Sequence, residues 1–109
     1  MSAQSPWDIS VEELKRLLDE SAEFVLLDVR EVAEYEIANL DGRLIPLGEL
    51  GGRLEELDRE AHLVVHCRSG KRSATAVEVL RGAGFENAWN VQGGILAWAA
   101  RIDPGLEVG

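Results

Sequence analysis

The sequence is short of the residues that build cross-links and metal centres. It holds one cysteine, Cys67, and two histidines, His62 and His66. A lone cysteine makes no internal disulfide and no cysteine zinc site, and two histidines are too few to complete a standard metal set with it. Neither a metal nor another cofactor is expected. Long apolar runs are missing as well: nothing approaches the ~20 residues of a membrane span. The opening stretch MSAQSPWDIS has no basic start and no apolar core, so a secretory leader is not expected and the protein reads as cytoplasmic. Positive charge is scarce, with 11 Lys and Arg against 20 Asp and Glu and a net charge of −9. That balance argues against nucleic acid, whose phosphates need a basic face.

What remains is enough for one domain. The 109 residues, 46% apolar and 28% charged, suit a single globular unit over 1–109, with a core at about 9–102 and a short loose tail at 103–109. A chain of this size buries roughly 60–70% of its unfolded surface. Short apolar runs alternate with helical patterns. Ser10 and Glu13 form a capping box before a stripe of Val11, Leu14, Leu17 and Leu18. Phe24 to Leu27 and His62 to His66 read as strands buried on both faces. A short helix is expected over 31–37, a turn over 39–42, a strand at 44–46, a second short helix over 49–58 and a strong helix over 73–81. A last strand at 88–91 and a helix from Gly93–Gly94 to about Ala100 complete the pattern. Such alternation predicts an α/β fold, a central parallel sheet flanked by helices on both faces. Trp89 and Trp98 read as core aromatics, Trp7 as a pin for the N-terminus, and the acidic helices as solvated faces.

The stretch His66-Cys67-Arg68-Ser69-Gly70-Lys71-Arg72-Ser73 breaks the acidic pattern. No Asp or Glu occurs from Ala61 to Val77, yet three of the chain's cations lie there. Cys67 follows a buried strand and precedes a helix, at the sheet end where ligands of parallel α/β folds bind. A loop of this kind turns its backbone N–H groups toward one point. The helix start adds further free N–H groups, and Gly70 permits a backbone angle other residues resist. These features favour the attacking, thiolate form of cysteine and a small anionic substrate. The plainer alternative is a basic loop that only caps its helix; the cysteine at the strand end weighs against it. His66 adjoins Cys67 but points to the opposite face, so it reads as a packed, hydrogen-bonded residue and not as a base.

This loop resembles the active-site loop of rhodanese-like sulfurtransferases. Leu27-Asp28-Val29-Arg30-Glu31 with Glu34-Tyr35 resembles that family's first signature. Leu44-Ile45-Pro46-Leu47, then Gly84-Phe85, Asn90-Val91-Gln92-Gly93-Gly94 and Trp98, resemble later segments in the same order. The resemblance runs from about Ile9 to Pro104. It looks most like rhodanese domains attached to adenylating enzymes of molybdopterin and thiolation pathways, here expected to stand alone. The resemblance implies a thiosulfate sulfurtransferase in which Cys67 takes the outer sulfur of thiosulfate as a persulfide and passes it to a thiol, cyanide or a sulfur-carrier protein. A protein persulfide is the other implied donor. It also implies that Arg68, Ser69, Gly70, Lys71, Arg72 and Ser73 bind the substrate. Asp28 and Arg30 are read either as shaping the pocket or as an ion pair that fixes the following loop.

Other readings stay in view. Cysteine phosphatases and arsenate reductases use a loop one residue longer before the arginine, where this chain has Ser73. A regulatory or partner-binding module, or a redox-sensing thiol, would suit the same loop, although no second cysteine is present to resolve a sulfenic acid. The turn at Asn39 to Arg43 departs from the family's histidine and small residue, which bears on the acceptor that docks there.

Overall fold

The computed structural model describes residues 6–109. Its centre is a sheet of five strands in the order β1-β5-β4-β2-β3. They are β1 (Asp8–Ile9), β2 (Val25–Asp28), β3 (Arg43–Leu44), β4 (Leu63–His66) and β5 (Ala88–Val91). All pairings are parallel, and Asp28 lies opposite His66 in the β2–β4 register. The two edge strands, β1 and β3, are two residues each.

Alternation along β4 divides the core. Leu63, Val65 and Cys67 face a cluster with Ala76, Val77, Leu80 and Phe85, while Val64 faces Val11, Leu14, Leu17 and Val91 on the other side. Helices α3 (Leu47–Leu50) and α4 (Lys71–Gly82) supply the first layer; α1 (Val11–Asp19) and α5 (Gly94–Arg101) supply the second. The expected two-faced α/β sheet is therefore present. β2 continues through α2 (Val32–Ile37) to β3, and β4 continues through α4 to β5, so the chain leaves the central pair in opposite directions. The carboxyl ends of β2 and β4 thus flank the crevice where such sheets bind ligands.

Helix ends follow from local chemistry. Ser10 Oγ accepts the Glu13 N–H at 3.1 Å, but the Glu13 carboxylate turns to Arg16 and does not close the box. Leu18 leaves the expected stripe and is 41% exposed. The end of α4 is a Schellman motif: Phe85 N–H donates to Leu80 O at 2.9 Å and Gly84 N–H to Arg81 O at 3.1 Å. Gly84 takes the left-handed conformation this needs, with φ 96°.

Four further expectations are corrected. The helix expected over 49–58 is α3 followed by a 3₁₀ turn at Leu54–Glu56; Gly51-Gly52 separates them, because glycine is a poor helix former. α4 begins at Lys71, not Ser73, because left-handed Gly70 serves as its N-cap. Trp89 is not a core residue: with Trp7 it brackets the Arg81 guanidinium, whose carbon lies 4.9 and 4.7 Å from the two rings. The tail is not loose: Val108 is buried, and the Gly109 carbonyl oxygen accepts from Arg68 at 2.9 Å. An apolar side chain near a chain's end seals what composition reads as loose.

Candidate active site

Cys67 leaves the carboxyl end of β4 and is only 1% exposed. Its sulfur sits inside the turn that follows. Gly70 N–H donates to Sγ at 3.1 Å, Ser73 N–H at 3.3 Å and the Ser73 hydroxyl at 3.2 Å. Three donors at one sulfur stabilise negative charge on it. The geometry depends on Gly70, which has φ 101° and lies so close to α5 that a Cβ there would stand 3.1 Å from Gly93 N. Turning the chain left-handed at Gly70 starts α4 early enough to aim the first-turn N–H of Ser73 at sulfur.

The start of α5 holds the other side of the loop, a feature the sequence reading saw only as a helix opening. Ile95 N–H donates to the Cys67 carbonyl at 2.9 Å, and Leu96 N–H to the Arg68 carbonyl at 3.1 Å. Free N–H groups of a helix's first turn need acceptors, and the loop provides them. Gly94, at φ 60°, packs directly on those two carbonyls. The Cys67 sulfur is thus positioned by one helix start and its backbone by another.

The loop cations are not equivalent. Arg72 Nη1 and Nη2 donate to the two carboxylate oxygens of Glu34 at 2.7 and 2.8 Å. That guanidinium holds the Glu34 carboxyl far below the usual carboxylate range, at about 2. In turn Glu34 raises Arg72, with the nearby charges of Cys67 and Glu31 adding less. Arg68 is tied to the tail through Gly109. Lys71 is exposed and makes no ion pair or hydrogen bond through its side chain among the described residues; Ser69 is exposed on the outer turn.

Asp28 and Arg30 lie under the site, both essentially without exposure. Arg30 Nη2 donates to Asp28 Oδ2 at 2.7 Å and to the Ala38 carbonyl at 2.8 Å. The pair ties the end of β2 to the end of α2 and makes no hydrogen bond to the thiol, the arrangement of the ion-pair alternative. His66 is fully buried, with Nε2 3.6 Å from Asp28 Oδ2 and without a hydrogen-bond partner. Burial pushes His66 below the ordinary histidine range, against the pull of Asp28. It is packed as expected, but its hydrogen bonding amounts to a long 3.5 Å contact from Nδ1 to the Cys67 carbonyl. Among the described residues no cluster of three or more His, Cys, Asp or Glu could hold a metal ion, and no helix is long and apolar enough to cross a membrane.

Residues 10–101 match the rhodanese-like domain family. The chain belongs to that family. Its rhodanese-like domain is 39% identical over 101 residues to the "Probable adenylyltransferase/sulfurtransferase MoeZ" of Mycobacterium tuberculosis, a match over 90% of this chain and 26% of that relative. The chain therefore spans about a quarter of that relative's length. Among solved structures, a rhodanese-like domain protein from Staphylococcus aureus superposes with a TM-score of 0.80 at 34% identity, covering 94% of this chain and 97% of the other. The human single-domain sulfurtransferase TSTD1 gives a TM-score of 0.80 at 28% identity, over 89% of this chain and 98% of its own. Sulfur transfer is the activity named for the Mycobacterium tuberculosis and human relatives.

Proposed function

We propose that this rhodanese-like domain is a sulfurtransferase that carries sulfane sulfur on Cys67. The observation that carries the reading is the thiol of Cys67, placed at the carboxyl end of β4 with three donors converging on Sγ. The Cys67 thiolate attacks the outer sulfur of thiosulfate; the S–S bond to the sulfonate breaks, and sulfite leaves with the bonding electron pair. Charge and atoms balance, and Cys67 holds a persulfide. A thiol, cyanide or a sulfur-carrier protein then removes the outer sulfur and regenerates the thiolate. A protein persulfide serves as donor by the same displacement. Gly70 and Ser73 stabilise charge on the Cys67 sulfur. Arg68, Ser69, Lys71 and Arg72 line the approach of the anion, with Lys71 the cation most available to it. Donors fixed in advance at a point of developing charge are a large catalytic term, and the covalent intermediate divides the transfer into two displacements.

Intact mass after thiosulfate treatment tests this. The wild type should gain one sulfur atom, released by cyanide as thiocyanate, and Cys67→Ser should gain none. A folded wild type with a free thiol that takes no sulfur from thiosulfate or from a protein persulfide would overturn the reading.

A further inference from the structure

The pairing of Arg72 bears on which donors the loop accepts. Basic loops hold anions through charge, and a guanidinium in a fork-to-fork pair has its charge matched by the carboxylate and two of its five N–H groups used. Arg72 is in that state: each of its Nη atoms meets one oxygen of Glu34. Glu34 is itself fixed. Its carboxylate accepts the Glu31 N–H at 3.0 Å in the capping box that opens α2, and its carbonyl faces Arg30 Nη1 at 3.4 Å. The acid is therefore held in place by the start of α2, and cannot readily leave Arg72 to an incoming anion. Arg68 is tied through one nitrogen to the Gly109 carbonyl, which leaves its charge in place; the loss of net charge in the basic loop comes from the Arg72–Glu34 pair.

We propose that Glu34 is a specificity-determining residue of this site: by cancelling Arg72 it lowers the preference for doubly charged ligands relative to singly charged ones of the same shape. The inference deepens the sulfurtransferase reading and rests on it for its substrates. It shifts the site toward sulfur donors of low charge, such as persulfides and thiosulfonate monoanions, relative to the thiosulfate dianion. Glu34 is 27% exposed and Arg72 35% exposed in their side chains, so their charges act across partly solvated space. There, removing one charge that acts on one extra ligand charge changes affinity by about three- to tenfold.

The test uses two matched pairs of anions. Sulfate and methanesulfonate differ by one charge and report binding without sulfur transfer; thiosulfate and methanethiosulfonate do the same for loading of Cys67. Binding is followed by NMR titration of the Gly70 and Ser73 amides in the wild type, Glu34→Gln, Glu34→Ala and Glu34→Asp. The expected result is that Glu34→Gln and Glu34→Ala raise the sulfate-to-methanesulfonate affinity ratio about three- to tenfold. Added salt should shrink that gain. Glu34→Asp, which keeps the charge, should keep the wild-type ratio. The loading ratio should move in parallel. Two neutral variants guard against the misfolding of one. A merely structural role for Glu34 would change both anions equally; that result, an unchanged ratio, or the same shift in Glu34→Asp would overturn the proposal. Shifted binding ratios in a protein that loads no sulfur would instead sink the sulfurtransferase reading and leave the charge selection standing.

Discussion

Replacing Gly94 by alanine would drive a methyl group into the backbone of the Cys67 loop. The new Cβ would lie 2.5 Å from the Arg68 carbonyl oxygen and closer still to that of Cys67. Both obstacles are backbone, so neither swings aside like a side-chain tip. The residue would also sit at φ 60°, where a Cβ costs about 1–2 kcal/mol. Relief requires moving α5 from the loop, which breaks the hydrogen bonds from Ile95 and Leu96 at about 1 kcal/mol each. The expected loss is about 3–4 kcal/mol in urea unfolding. Gly48→Ala is the control, because nothing lies within 4 Å of its added Cβ; as a helical site it should hold level or gain up to ~1 kcal/mol. Sulfur loading by intact mass should fall in Gly94→Ala even at temperatures where the variant is folded. A loss below ~1 kcal/mol with wild-type loading would refute the claim that α5 holds the loop.

Three further outcomes follow from the site. Ser73→Ala removes one of three donors to Sγ and should slow sulfur loading about tenfold, with the two backbone donors retained; an unchanged time course by mass would count against the cradle. Arg30→Met leaves Asp28 buried without its partner, at a cost of about 3–5 kcal/mol, and Asp28→Asn in the same chain should recover most of it by thermal melt. The acid limb of stability should carry two signatures. Glu34 is lowered from 4.5 to about 2 in the folded chain, so its contribution is complete above 4.5 and is lost as pH falls toward 2. Allowing for solvent screening, that is about 1 kcal/mol, absent in Glu34→Gln. His66 is also lowered, from 6.5, so the folded chain resists its protonation. Stability should begin to fall below that pH and should not in His66→Gln.

The parts legible in the sequence are those set by local pattern. Runs such as Leu63 to Val65 are apolar without a break, as a strand covered on both faces requires. Cys67 could be placed because a strand end, a glycine and a helix start follow one another along the chain. What the sequence hid depends on distance. Glu34 and Arg72 stand 38 residues apart, so nothing local says that one cancels the other. The Gly109 contact to Arg68 spans 41 residues and reverses the reading of a loose tail. Gly93-Gly94 looked like a helix opening because its second role, packing on the Cys67 carbonyl, exists only once α5 returns to β4. Trp89 misled because an indole beside a strand reads as core, whereas here its ring is half-buried against a guanidinium.

The brevity of β1 and β3 has a consequence for how these molecules behave in a crowd. A sheet's rim is where a second copy could dock its own strand, since unpaired amides there act as a template. With two residues at each rim, and Pro46, which has no N–H, just beyond β3, there is too little free ladder to seed a longer stack. A net charge of −9 adds mutual repulsion. The four-residue, largely apolar strands β2, β4 and β5 stay in the interior, where no neighbouring copy can read them.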